Sequence, residues 1–327
     1  MRAGFAIFAL IGVLSGASLI AWQGFAAVGH ALELAGFQGL VAICLFHAVP
    51  LTLCALAWRT LYRNPKPDQA SFIWYRWMRD AGGEILGVVP ASGEIISIRT
   101  MIARGCDATM AIAATVVDLT VEMIGQVAFT LLGLALLAFS RPDDPLLQWT
   151  LIGTGVVIFF AGGFFLVQRF GIFKLLEKLA IKLIEDRGWS ALASIRGVNR
   201  NIHGIYADRP RIARAVATHF TAWIVGCGEA GIILYFMGVP TGFATLIMLE
   251  SMTYALRSAA FFVPAAAGVQ EGGYMLIGAA LGIGPEFALA LSLMKRAREL
   301  TLGVTAILAW QWLEGRGLLR VLRLPRR

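Results

Sequence analysis

Six separate stretches of this chain are long and apolar enough to cross a lipid bilayer, a pattern no soluble fold accommodates. They run over Gly4–Gly24, Phe37–Trp58, Thr109–Phe139, Leu146–Val167, Ile212–Phe236 and Pro285–Trp312, each close to or above the ~20 apolar residues that span a hydrocarbon core. Hydrophobic residues make up 58% of the 327 and charged residues only 15%. A soluble domain is nearer half apolar and about a quarter charged. The excess apolar surface needs lipid as its solvent. The first stretch follows Arg2 as a cleaved leader would, but its apolar run is longer than a leader's core, so it is read as a retained helix.

A net charge of +8 raises the question of nucleic acid, and the placement of the charges answers it. Of the 28 Lys and Arg, seven lie between Arg59 and Arg104, ten between Arg169 and Arg214, and five between Arg316 and Arg327. These blocks fall between or after apolar stretches, as cytoplasmic loops do under the positive-inside rule. No nucleic-acid partner is expected. Ile172–Asp186 places Ile172, Leu175, Leu176, Leu179 and Leu183 on one helical face and Lys174, Lys178 and Lys182 on another. It reads either as an interfacial helix attracted to anionic lipids at the cytoplasmic surface or as a plain connector.

Two further apolar segments are broken by proline: Ala81–Gly105 at Pro90 and Gly242–Gly284 at Pro264. Proline removes a backbone donor and clashes with the preceding turn. At membrane depth such a break survives only where protein or a wet cavity satisfies the freed groups. Each segment is therefore expected to be a re-entrant helix–break–helix hairpin. Counting from Arg2 inside, six crossings and two hairpins put all three basic blocks on one side, with both termini cytoplasmic. The expected fold is an all-α membrane protein of about six transmembrane helices plus two proline-broken re-entrant hairpins in an inverted repeat. The single polytopic domain (1–327) divides into a first half (1–168, hairpin 81–105), a connector (169–210) and a second half (211–327, hairpin 242–284).

The repeat rests on spacing. Glu94 and Glu122 are 28 residues apart, as are Glu271 and Glu299; Glu94 to Asp118 is 24, as is Glu271 to Lys295. A proline break, a carboxylate soon after it and a charged pair one helical turn apart thus occur twice. Three crossings separate the copies, so they are inverted, a plan in which transporters hold substrate at the repeat interface. Charges in a span cost ~2.5–3.5 kcal/mol each at a helix centre, so they should face inward and pair. Asp118 and Lys295, equivalent in the repeat, are expected to approach each other. In the functional reading, Arg257, Arg296 and Arg298 hold an anionic head group, and Glu94 and Glu271 gate, pair with those cations or carry protons. Half-helix amino ends after Pro90 and Pro264 add N–H donors. In the alternative, these ion pairs only lock the two repeats together. Glu250, Tyr254 and Arg257 share a helical face and are expected to pair locally. Glu229 is open to either reading. Trp74, Tyr75 and Trp77 with Arg76 and Arg79 read as an interface belt.

No Gly-x-Ser-x-Gly elbow, phosphate-cradling loop or His-Glu-x-x-His occurs. His30, His47, His203 and His219 are scattered and read as isolated polar positions. Cys44, Cys54, Cys106 and Cys227 are far apart and read as small buried hydrophobes rather than disulfides or metal ligands. No catalytic residue, metal site or cofactor is expected, nor is a soluble domain expected after the last span.

The stretch VPAAAGVQEGGYMLIGAALGI followed by ALALSLMKRAREL resembles the flippase-like membrane domain of lysylphosphatidylglycerol synthases and their stand-alone relatives, nearest to the hopanoid-biosynthesis branch. The resemblance covers most of the chain and is most specific from Pro264 and Gly268 to Glu299. It implies a lipid translocator of a bacterial inner membrane rather than an enzyme, with a membrane lipid as substrate and lipid-biosynthesis proteins as further partners. At the first break Gly93 and Glu94 match. Where the family tends to carry arginines, this chain has Ser92 and, near the second place, Ser97 with Arg99 two residues later. That departure favours a less charged lipid, of hopanoid or polyprenyl type. A scaffold subunit of a lipid-modifying complex and a membrane-embedded lipid-modifying enzyme are the alternatives.

Overall fold

The computed structural model describes residues 25–63, 67–85, 91–140, 155, 159, 189–260, 263 and 266–322. The expected first crossing, most of the fourth, the 172–186 helix, the tail beyond 322, and Pro90 and Pro264 themselves lie outside the described residues. Within them the chain is helical, with no strand.

Helices α1 (Phe25–Phe46) and α2 (Ala48–Leu61) are almost one rod. It bends at Gly36, whose φ of 57° suits a residue without Cβ. It loosens again at His47, because Pro50 has no N–H to offer the carbonyl of Phe46. Helix α3 (Gln69–Ile85) is followed by α4 (Ser92–Ala103) and α5 (Ala108–Ser140). Asp107 caps α5, its carboxylate accepting from the Met110 backbone N–H at 2.7 Å and the Thr109 hydroxyl at 2.6 Å. Helix α6 (Trp189–Ala207) turns into α7 (Arg209–Phe236), where Asp208 accepts from Arg211 N–H and Pro210 sits in the first turn. Last come α8 (Phe243–Ala259), α9 (Val269–Ala280) and α10 (Pro285–Leu322).

Helices α5 and α7 and the rod Gly29–Leu61 are long and apolar enough to cross a membrane. Helix α10 is longer still, but carries Lys295, Arg296, Arg298 and Glu299 within one and a half turns. Exposed Phe37, Leu45, Phe139, Leu300 and Leu308 coat the outside, a surface suited to lipid rather than water.

Both broken segments fold back on themselves. The first arm begins earlier than expected, at Gln69 rather than Ala81, because Arg76, Arg79, Asp80 and Glu84 mask its helical continuity in hydropathy. Just past the first break Ala91 is left-handed (φ 60°), and past the second Ala266 (φ 48°) and Gly268 (φ 78°) are too. These turns reverse the chain so that α4 packs on α3 and α9 on α8. The first reversal is tight: a Cβ on Gly93 would run into the Arg79 carbonyl oxygen and lie 3.0 Å from Gly83 N.

The packing repeats under exchange of α1–α5 with α6–α10. Helix α2 lies against α7. Each half's long helix packs on the other half's hairpin arm, α5 on α8 and α10 on α3, and α1 on α10 matches α6 on α5. Small residues allow these crossings: Gly133 sits against Ser251, and a Cβ on Gly303 would meet Ile85 at 2.7 Å. Side chains pin them, with Trp77 Nε1 donating to Leu302 O at 3.1 Å and Gln126 Nε2 to Ser258 Oγ at 2.5 Å.

Gly93→Ala is therefore expected to lower stability by about 1–3 kcal/mol through overpacking. Gly83→Ala, whose Cβ meets nothing within 4 Å, should raise it by about 0.4–1 kcal/mol. Thermal unfolding of the two variants in detergent checks the contrast.

Candidate functional site

The buried charges gather where the two hairpins meet. A cavity of about 370 Å³ is lined by His47 and Cys54, by Arg76, Arg79, Asp80 and Glu84 of α3, and by Glu94 and Glu122. From the second half come Glu229, Arg257, Arg296, Arg298 and Glu299. Among the described residues, six carboxylates thus face five arginines. A second cavity, about 840 Å³, lies beside Arg63, Arg104, Asp68 and Asp107 and draws only Asn201 from the second half.

On the first side Arg79 is the hub. Its guanidinium donates to Asp118 at 2.6 Å, Glu122 at 3.1 Å and Glu94 at 3.2 Å. Arg76 grips both oxygens of Glu122, at 2.9 and 2.7 Å, and reaches Asp80 one turn along α3. Asp118, wholly buried behind Arg79, also meets His219 Nε2 at 3.0 Å. Cys54, Glu122 and His219 bring potential ligand atoms within 4.8 Å of one another. A metal ion there would have to displace two guanidiniums from Glu122.

On the second side Glu250 plays the complementary part. It accepts from Lys295 and, at 2.8 Å, from the Tyr274 hydroxyl. Glu271 holds Arg296 at 3.1 Å while its other oxygen accepts from Gly268 N–H at 2.8 Å. Arg296 also reaches Glu299 at 3.4 Å. Arg257 lies over the Tyr254 ring and approaches Glu299 only to 3.7 Å, its one ion pair among the described residues.

Arg298 joins the two sides. Its Nη1 donates to Glu229 at 2.6 Å and lies 2.7 Å from His47 Nδ1. His47 Nδ1 is also 2.7 Å from Glu229, so it either accepts from Arg298 or donates to Glu229. The opposite edge of the guanidinium is less engaged. Nε is buried with no hydrogen-bond partner, and among the described residues Nη2 has only the longer contacts to Glu299 at 3.6 Å and Glu84 at 4.0 Å. Nε and Nη2 form the fork that receives two oxygens of a carboxylate or phosphate.

Of the residues singled out in the sequence, Glu94, Glu122, Arg257, Arg296, Arg298 and Glu299 line the cavity. Asp118, Glu271 and Lys295 stand behind it, and Gly93 and Gly268 shape the hairpin turns. Arg99 is exposed and away from it. Pro90 and Pro264 lie outside the described residues. Asp118 and Lys295 do not pair, contrary to expectation, because each is held by an arm helix of its own half. Glu250 pairs with Lys295 rather than Arg257. The supposed belt residues Arg76 and Arg79 are buried, and His47 and His219 are network members rather than isolated. A signal for the arm was available: Arg76 lies 14 residues before Pro90, as Glu250 lies 14 before Pro264. With Asp118 equivalent to Lys295, the second half carries the first half's arm-to-span attraction with its signs reversed.

The family model described as the lysylphosphatidylglycerol synthase TM region matches residues 5–307. The chain belongs to this family. It is thus a membrane protein of a family tied to lipid metabolism or transport, and the matched span includes every residue of the cavity wall. No curated protein and no solved structure matches it.

Breaking a buried pair by removing one partner costs about 3–5 kcal/mol. Glu250→Lys and Lys295→Glu should each destabilise by that order. The double exchange should recover more than half of the loss, since the first half already holds the reversed arrangement. A double-mutant cycle of melting curves in detergent measures the recovery.

Proposed function

We propose that this protein carries a membrane lipid between leaflets, with the polar head group passing through the cavity between the two hairpins. The observation that carries the reading is the under-satisfied Nε–Nη2 edge of Arg298, its Nε buried without a partner, in a cavity walled by both halves. Nε, buried without a partner, loses the free energy of its missing hydrogen bond, and Nη2 has only long contacts to Glu299 and Glu84; a head-group oxygen pair would supply both. Arg257, tied only at 3.7 Å, is the second cation free to turn toward a ligand.

The dimensions fit a head group with the chains left in lipid, since about 370 Å³ is at the small end of ligand pockets. The charge balance fits a weakly charged one. Among the described residues, five arginines against six carboxylates leave no surplus to attract a multiply phosphorylated group. This supports a lipid of hopanoid or polyprenyl type with at most one negative charge. Ser92, at the family's arginine place, donates to Gly82 O at 2.8 Å instead.

Alternating access then follows from rocking of the two like halves about the α2–α7 contact. The two hairpins are re-entrant and six helices cross a bacterial inner membrane with both termini cytoplasmic, where basic segments meet anionic lipid. The protein performs no covalent step, and proteins that make the lipid are its natural neighbours.

In proteoliposomes with fluorescent short-chain lipids, a leaflet-resolved quenching assay should show movement above protein-free vesicles. Arg257→Ala and Arg298→Lys should slow it by about 10- to 100-fold, the worth of a charged hydrogen bond. No movement above the protein-free control, with folded protein incorporated, overturns the transport reading and favours a scaffold.

A further inference from the structure

One carboxylate in the cavity stands apart. Asp80, Glu94, Asp118, Glu122, Glu229, Glu250 and Glu271 each meet a cationic group at 3.2 Å or less. Glu299 lies among three arginines, at 3.4, 3.6 and 3.7 Å. Glu84 has a single ion-pair contact among the described residues, to Arg298 Nη2 at 4.0 Å. Its side chain is 27% exposed and it lines the cavity.

The groups around it do not compensate it. From α10 it faces Arg298, which Glu229 already engages, and Glu299, a like charge on the same Nη2 nitrogen. Asp80 precedes it by one turn on α3. The rest of the cavity's charged and titratable lining is Arg76 and Arg79 of α3, Glu94 of α4, Glu122 of α5, His47 and Cys54 at and after the α1–α2 junction, Glu229 of α7, Tyr254 and Arg257 of α8 and Arg296 of α10. Across the network nine carboxylates (these eight and Glu84) meet six fixed cations: Arg76, Arg79, Arg257, Lys295, Arg296 and Arg298. Uncompensated ionised carboxylates in an apolar bundle are costly.

We infer that Glu84 takes up the proton that accompanies a singly anionic head group onto Arg298. The sign follows from position. An anion seated on the Nε–Nη2 edge brings negative charge beside Glu84, which favours its protonated form. A protonated Glu84 removes a competitor for Nη2 and offers an O–H to the ligand. By linkage, each event strengthens the other by the same factor. The proton comes from water and stays on the carboxyl oxygen, with no bond to the lipid. The inference deepens the transport reading, although the linkage itself is a property of binding.

Binding of dioctanoyl phosphatidylglycerol to the detergent-solubilised protein tests it. The expected result is roughly tenfold tighter binding at about pH 5.5 than at about pH 7.5. Calorimetry in two buffers of different ionisation heat should show proton uptake. Glu84→Gln should flatten the pH dependence and abolish the uptake, whereas His47→Asn should retain both. No binding of the anionic lipid, pH-independent binding, or loss of the pH dependence in His47→Asn but not in Glu84→Gln overturns the inference. In proteoliposomes an inward proton gradient should speed the lipid severalfold, and a protonophore should cancel the gain. Lipid movement indifferent to the gradient overturns the coupling and leaves transport standing. Linked binding with no lipid movement does the reverse.

Discussion

A guanidinium in an apolar bundle persists only where carboxylates meet it, and Arg79 meets three of them from two other helices. That contact fixes more than a local charge. Asp118 and Glu122 stand one turn apart on α5 and Glu94 opens α4, so Arg79 ties the arm of the hairpin to its return helix and to the long helix behind. Removing it would take Glu94's ion pair and leave, among the described residues, Asp118 with His219 and a distant Arg76 and Glu122 with Arg76 alone, at a cost above that of a surface pair. The hairpin, the cavity wall and the position of α5 therefore share one hub. Gly93 serves the same end sterically, letting α4 pass against the Arg79 carbonyl.

The second half solves the same problem with the charges exchanged. Glu250 occupies the arm position of Arg76, and Lys295 the span position of Asp118. Attraction between arm and span depends on the product of the charges, so either polarity closes the hairpin. The surroundings of the cavity are nonetheless asymmetric. One side presents arginines on its arm and carboxylates behind, and the other presents arginines from its span. Arg298 falls between them, held closely by Glu229 and His47 through Nη1 and only at longer range by Glu299 and Glu84 through Nη2.

Much of this was legible in the sequence. The matched 24- and 28-residue spacings picked out charges that gather at or behind the cavity, and the helices starting at Ala108 and Pro285 begin within a residue of the apolar stretches marked in the sequence. Glu94, Glu271 and Arg296 pair as charges in spans should. What escaped was the arm. Arg76 and Arg79 sit beside Trp74, Tyr75 and Trp77, and such a mixture reads as an interface because local composition does not reveal which face a helix turns to its neighbours. The partners lie far along the chain: Arg79 with Asp118, His47 with Glu229, Arg298 with both. Isolated histidines carry no pattern of their own, so only the packing of α7 against α2 and α5 shows that two of them are bound into the network.

The same pairing bears on how tightly such a site can hold anything. A ligand arriving where most arginines are already engaged gains mainly the difference between two sets of partners, because new contacts come at the expense of old ones. Modest affinity is the expectation for that reason, and it suits the proposed passage of a head group, since a group bound too well would not leave. Under that proposal the unpartnered Nε of Arg298 and the loose tie of Arg257 to Glu299 would supply the net attraction for entry. Glu84 and Glu299 would supply the competition that returns those arginines to their resting partners. A cavity with a surplus of free cations would bind more strongly, so near-balance of charge is the arrangement that weak, reversible binding needs.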